Sequence, residues 1–174
     1  MERLIVLLRG VNVSGHNKVP MAELRSALDA AGFANVATYI QSGNIALDTD
    51  ENPNDVTARI EQLLVEHFDV EVPVVSIAQS DVESVLNAAP FDADGNPSYQ
   101  LIYFPGGTVD IAGLEGIDRA KYPGDQITGT ANAVYVDYDG GQSTSKLTVK
   151  ALEKAASTTL TGRNVKSAAK LVRL

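Results

Sequence analysis

The sequence predicts an α+β fold, and three observations predict it. Apolar runs of strand length alternate with stretches of helical periodicity in the order β-α-β-β-α-β over residues 1–78. That order is the ferredoxin-like split βαβ unit. Residues 79–174 have a similar number of strand and helix segments, without a visible sequence repeat or a low-complexity linker. Two halves, 1–78 and 79–174, are therefore expected to pack as one body. A 174-residue chain with 44% hydrophobic residues suits a globule with its own core.

The first half is read as follows. Leu4–Leu8 is a continuous apolar run, the mark of a buried central strand. Pro20 stands where a helix would start. Met21, Leu24, Leu28 and Ala31 recur at helical spacing, and Gly32 is the stop signal. Val36–Gln41 and Asn44–Leu47 read as strands joined by a tight Ser42-Gly43 turn. Asn52-Pro53 opens a second helix with the stripe Val56, Ile60, Leu63 and Leu64, ending near Phe68. Val72–Ile77 is the fourth strand.

In the second half, Ser80-Asp81-Val82-Glu83 reads as a capping box before a helix carrying Val82, Val85, Leu86 and Ala89. A loop runs from Pro90 to Pro97. Tyr99–Phe104 is a strand stopped by Pro105-Gly106-Gly107, and a short helix is expected near Val109–Gly116. Gln126–Thr130 and Ala133–Tyr138 form a hairpin. Helices near Ser145–Ala156 and Asn164–Arg173 close the chain.

Composition narrows the function classes. The chain has no cysteine, so disulfides and thiolate metal sites are excluded. Leu4–Leu8 is too short for a signal peptide or a membrane span, and a cytoplasmic protein is expected. The net charge of −8 is unevenly spread. Residues 1–140 hold 7 basic and 21 acidic side chains, while residues 141–174 hold 7 basic side chains and only Glu153. The basic end is expected to dock on the acidic body, with an anionic partner as the alternative.

The stretch LIVLLRGVNVSGHNKVPMAELRSALDAAGFANVATYIQSGNIAL, residues 4–47, closely resembles the start of the bacterial proteins of domain-of-unknown-function family 1697. The resemblance implies two α/β-plait halves and assigns no chemistry. Ser145-Lys146 matches the family pattern, and Thr161-Gly162-Arg163-Asn164 resembles its closing Thr-x-Arg-Asn motif. The family commonly has Trp next, where this chain has Val165, so an aromatic stacking surface is absent there.

The expected topology places a site. In a split βαβ unit the first two strands run parallel with the third between them, so their C-terminal ends share one sheet edge. The loop from Arg9 to Lys18 and the turn from Gln41 to Asn44 should be neighbours. That gathers Arg9, Asn12, Asn17, Lys18, Gln41, Ser42 and Asn44, donor-rich and without a carboxylate. Such a group suits a phosphate or carboxylate ligand better than acid–base catalysis. The first turn after Pro20 could add free N–H groups.

A second candidate is Gly140–Lys146, expected between a strand and a helix. The phosphate-loop signature fails, because no Gly precedes Lys146 and Leu147 stands where Ser or Thr is required. Ser145, Lys146, Arg163 and Asn164 remain candidates for anion binding or for helix capping. Lys146, Lys150 and Lys154 share a helix spacing, as Lys166, Lys170 and Arg173 nearly do. The acidic whole and the lack of interleaved aromatics disfavour nucleic acid.

His16 and His67 show no metal-ligand spacing, and His67 beside Phe68 reads as a packing residue. Asp92 and Asp94 fall in a turn-rich loop. No metal or cofactor is expected. The leading reading is binding of a small anionic ligand, a nucleotide or a phosphorylated metabolite. The alternatives are an enzyme for a phosphorylated or acyl substrate, using Lys146, His16 or Ser42, and a nucleic-acid or protein interaction through the basic C-terminal helices.

Overall fold

The computed structural model describes residues 1–174. The chain divides into two compact units, Met1–Glu83 with Lys170–Leu174, and Ser84–Ala169.

The first unit contains β1 (Glu2–Leu8), α1 (Met21–Ala30), β2 (Ala34–Tyr39), β3 (Asn44–Thr49), α2 (Pro53–Phe68) and β4 (Val74–Ala78). Its sheet order is β2-β3-β1-β4, and every neighbouring pair is antiparallel. β1 and β2 thus run parallel with β3 between them. The apolar run Leu4–Leu8 is fully buried, as a central strand requires. Leu4, Val6 and Leu8 share a core with Ile45 and Leu47 of β3, Leu24 and Leu28 of α1, and Ile60 and Leu64 of α2. Asn52 caps α2 by accepting the Asp55 N–H at 3.1 Å, and Pro53 fills the first helical position.

Two boundaries differ from expectation. β2 begins at Ala34 because its register shifts between Ala34 and Ala37, where Asn35 adopts φ +48°. The link from β2 to β3 is a four-residue turn, Ile40–Gly43, and not a tight Ser42-Gly43 turn. Both of its ends are left-handed, Ile40 at φ +50° and Gly43 at φ +77°. A β-branched residue there is strained.

At the opposite end of the sheet, Asp48 accepts from Asn35 Nδ2 at 2.7 Å and Arg3 Nη1 at 2.9 Å. These bonds, Asn35 first, hold its carboxyl below the ordinary value of 3.8. A depressed carboxyl stabilises the fold fully above its ordinary value and loses that contribution as pH falls through the folded value. Asp48→Asn is therefore expected to lower stability at neutral pH and to flatten the loss below pH 3.8, read by urea denaturation across an acid series.

α3 (Gln79–Asn87) starts directly after β4, so Ser80–Glu83 lies inside a helix rather than capping one. The second unit continues with β5 (Gln100–Pro105), α4 (Ile111–Glu115), a 3-10 turn at Arg119–Lys121, β6 (Gln126–Thr130), β7 (Ala133–Asp137), α5 (Val149–Ala156), β8 (Leu160–Asn164) and α6 (Val165–Leu171). Its sheet order is β6-β7-β5-β8, again all antiparallel. From β5 to β8 it repeats the element order and the strand order of the first unit.

Two expectations for this unit are corrected. The segment from Leu160 to Asn164 is a strand, and the last helix begins after it. A β-carbon at Gly162 would meet the Tyr103 ring at 2.6 Å, so the glycine lets β8 lie against β5 with that ring over it. The preceding helix starts at Val149, not near Ser145. Thr148 caps it by accepting the Ala151 N–H at 3.1 Å. Lys146 is consequently not on the helix face of Lys150 and Lys154, and Arg173 falls beyond the end of α6.

Candidate functional site

The loop after β1 folds into a miniature hairpin. Val13 and His16 form an isolated antiparallel bridge, and the His16 N–H donates to Val13 O at 2.9 Å. The two residues between them, Ser14 at φ +49° and Gly15 at φ +80°, have the positive φ that a type I′ turn needs. Asn12 and Asn17, at φ +56° and +49°, supply further left-handed positions, which asparagine tolerates better than most residues. The Asn12 N–H donates to Asn17 O at 3.0 Å, and Asn17 Nδ2 donates to Gly10 O at 3.0 Å.

One side chain joins this hairpin to the neighbouring turn. Asn12 Nδ2 donates to Val19 O at 2.9 Å and to Gln41 O at 2.8 Å, and its Oδ1 accepts the Val19 N–H at 2.9 Å. The Leu8 N–H donates to Gly43 O at 2.8 Å. A β-carbon at Gly43 would meet Leu8 Cβ at 2.6 Å and Val11 Cγ2 at 2.8 Å, so the two segments are in direct contact. Asn44, fully buried, donates to Tyr39 O at 3.1 Å and to Ser42 Oγ at 2.8 Å.

The structure therefore brings residues 9–18 and 41–44 together on one sheet edge and divides their work. The amides of Asn12, Asn17 and Asn44 bond to the loops themselves. Lys18 and Gln41 are exposed, as are Ser42 and His16, and Arg9 is half-buried. The Arg9 N–H donates to Pro73 O at 3.0 Å, which seats it beside β4. On that flank Glu61 accepts the Val74 N–H at 3.4 Å. α1 starts behind Lys18 with Pro20 as its N-cap and no side-chain cap, and Glu23 is the acidic residue of its first turn.

The charge distribution sets this edge apart. Residues 3–22 and 30–47 contain no aspartate or glutamate, whereas the rest of residues 1–83 contains thirteen. The lack of a carboxylate among the site residues was legible in the sequence; the wider acid-free span, residues 3–22 and 30–47, extends it.

The candidates in the second unit are placed separately. Ser145 donates to the Asp125 carboxylate and accepts the Leu147 N–H at 2.9 Å, so it pins the loop before α5. Lys146 is exposed. Asn164 Oδ1 accepts the Ser167 N–H at 2.9 Å, which caps α6. Arg163 is half-buried in β8 and donates to Gly162 O at 2.8 Å; burial pushes its guanidinium down to about 10, so it stays charged at neutral pH. The Gly140–Lys146 loop also reaches the core: Gln142 Nε2 donates to Tyr103 Oη at 3.0 Å, and that phenol lies 2.6 Å from Tyr138 Oη. Lys150, Lys154, Lys166 and Lys170 are exposed and form no ion pair.

His67 lies elsewhere. It lines a cavity of about 330 Å³ between α1 and α2, with Ala27, Ala31, Arg59, Leu63 and Glu66. Arg59 there pairs with Glu51, donates to Ala31 O and stacks 4.5 Å from the Phe33 ring centroid. Its charge is already balanced within the unit. No group of His, Asp or Glu side chains is arranged to hold a metal ion. No helix is long and apolar enough to cross a membrane.

Comparison with known proteins agrees with the fold. The conserved bacterial protein SP0830 from Streptococcus pneumoniae superposes with a TM-score of 0.77 at 24% identity, over 99% of this chain and 97% of that one. No curated protein matches the sequence. The family described as Protein of unknown function (DUF1697) matches residues 1–135. The Ser145-Lys146 and Thr161–Asn164 motifs lie outside those residues.

Proposed function

The chain belongs to the family Protein of unknown function (DUF1697), and from that premise we propose that it binds a small anionic ligand, a nucleotide or a phosphorylated metabolite, at the edge built by residues 9–18 and 41–44. One observation carries the reading. The Asn12 side chain makes two hydrogen bonds to Val19 within its own loop and one to Gln41 O of the neighbouring turn, so the edge is a prebuilt platform and not two mobile segments. Ordered backbone leaves less conformational entropy to be lost on binding.

In this reading the residues have two roles. Arg9 and Lys18 supply charge, and an arginine fork suits a phosphate or carboxylate. Gln41 and Ser42 orient the ligand. Asn12, Asn17 and Asn44 hold the backbone that carries them. The start of α1 adds main-chain donors and the positive end of the helix dipole. Glu23 in that turn repels an anion, which places the ligand on the Lys18 and Gln41 side of the helix end. We also read each unit as a ferredoxin-like split βαβ fold, supported by the shared element order and by the strand orders β2-β3-β1-β4 and β6-β7-β5-β8. That fold serves many functions and so does not choose the ligand.

The test is a titration of ¹⁵N-labelled protein with inorganic phosphate and then a nucleoside monophosphate. Amide shifts are expected to move together in residues 9–18, 21–23 and 41–44. Shifts confined to the segments of Lys150, Lys154, Lys166 and Lys170 would move the ligand site to the basic helices.

A further inference from the structure

We propose that β6 is a self-recognition edge, through which two copies of this chain pair antiparallel about a two-fold axis at Thr128. β6 ends its sheet, and its side chains Gln126, Thr128 and Thr130 are exposed. It faces β7 in unbroken register from Gln126↔Asp137 to Thr130↔Ala133. The last pair closes a two-residue hairpin turn, so it is hydrogen-bonded, and bonded pairs alternate along an antiparallel ladder. Gln126, Thr128 and Thr130 thus spend their N–H and C=O groups on β7. Ile127 and Gly129 direct theirs outward, to an open edge.

Natural edge strands carry a charge, a proline or a bulge that blocks further pairing. From Gln126 to Asn132 this chain has none of them. β2, the corresponding strand of the first unit, is broken by its register shift between Ala34 and Ala37.

The occupant follows from the strand's own sequence. Antiparallel pairing about Thr128 sets Ile127 opposite Gly129 of the second copy, and these are the residues with outward backbone groups. Thr128 meets Thr128, and Gln126 meets Thr130. Threonine pairs are favourable across strands, and no like charges face each other. Gly129 has no side chain because Leu114 of α4 occupies that space; a β-carbon there would lie 2.4 Å from Leu114 Cδ1. α4 therefore lies over β6, and a joined sheet brings the two α4 helices to the same face. Ile111 of α4, 40% exposed, is the apolar group such an arrangement would cover. A pair of five-residue strands is a small interface, so the dimer is expected to depend on concentration.

The test is sedimentation equilibrium of the full chain. The wild type should rise from 18.4 kDa toward twice that mass with increasing concentration. Thr128→Lys places two ammonium groups together on the two-fold axis and should stay at the monomer mass, with an unchanged thermal melt because residue 128 faces solvent. Mixing Thr128→Lys with Thr128→Glu should restore the doubled mass. A wild type that stays at 18.4 kDa from micromolar to millimolar concentration overturns the proposal. So does a Thr128→Lys variant that dimerises like the wild type, or a mixture that stays monomeric.

Discussion

Replacing Gly43 with alanine is expected to cost about 3 kcal/mol of stability, from left-handed strain and overpacking together. The residue sits at φ +77°, where an L side chain is disfavoured. The added carbon would also fall 2.6 Å from Leu8 Cβ and 2.8 Å from Val11 Cγ2. Neither neighbour can retreat, because Leu8 is fully buried in β1 and Val11 is 1% exposed. Urea denaturation measures the loss. The same variant should loosen the junction between the two loops, since the Leu8 N–H donates to Gly43 O. Ligand affinity at the edge should fall with it. An unchanged denaturation midpoint would mean that the two loops are not in contact there.

The second large effect is expected at Asn12. Asn12→Ala removes three hydrogen bonds, two to Val19 and one to Gln41 O. It also leaves alanine at φ +56°. At about 1 kcal/mol for each net hydrogen bond, the loss is on the order of 2–3 kcal/mol, less where water replaces the amide at this half-buried position. Hydrogen exchange gives the sharper measurement. The Asn12 N–H donates to Asn17 O and the Val19 N–H to Asn12 Oδ1, and their exchange should accelerate while that of β1 does not. Asn12→Asp keeps the acceptor for the Val19 N–H but turns the amide donor into an oxygen facing Val19 O and Gln41 O. It should destabilise at neutral pH and recover on acidification, when the carboxyl carries a proton.

The first half of the chain was legible because its local signals agree. Pro20, Gly32 and the pair Asn52-Pro53 punctuate the helices at sites where the structure uses them. Leu4–Leu8 states its burial outright. The second half was less legible where side chains serve unlike purposes. Ser145 resembles a helix cap, yet it bonds to Asp125, and Thr148 caps the helix three residues later. Leu160–Asn164 lacks the apolar alternation of a strand. It is one because Gly162 makes room for a tyrosine distant in sequence. The Ser80–Glu83 pattern fits a capping box, but β4 passes into α3 before it.

The candidate site divides in the same way. Its location followed from topology, since parallel β1 and β2 must end at one edge. The roles of its asparagines did not follow from residue type. An amide suits a ligand and a left-handed loop equally well, and only the fold shows that Asn12, Asn17 and Asn44 turn inward to the backbone. No sequence repeat marks the shared topology of the two units, which was expected from their similar element counts and from the family resemblance. The second unit passes from β5 into Gly106-Gly107 and has no counterpart to the hairpin after β1, which confines the proposed platform to the first unit.

A thermal-shift comparison of the wild type and Arg9→Ala tests the anion platform most directly. The ligands are nucleotides, sugar phosphates, polyphosphate and short RNA. A ligand that binds only the folded state adds about 2.7 kcal/mol at a hundred times its dissociation constant. The expected result is a rise in melting temperature with one anionic class in the wild type and none in Arg9→Ala, each protein being compared with itself in the absence of ligand. A ligand that stabilises both proteins equally, or no stabilisation by any anion, would contradict an anion site at this edge.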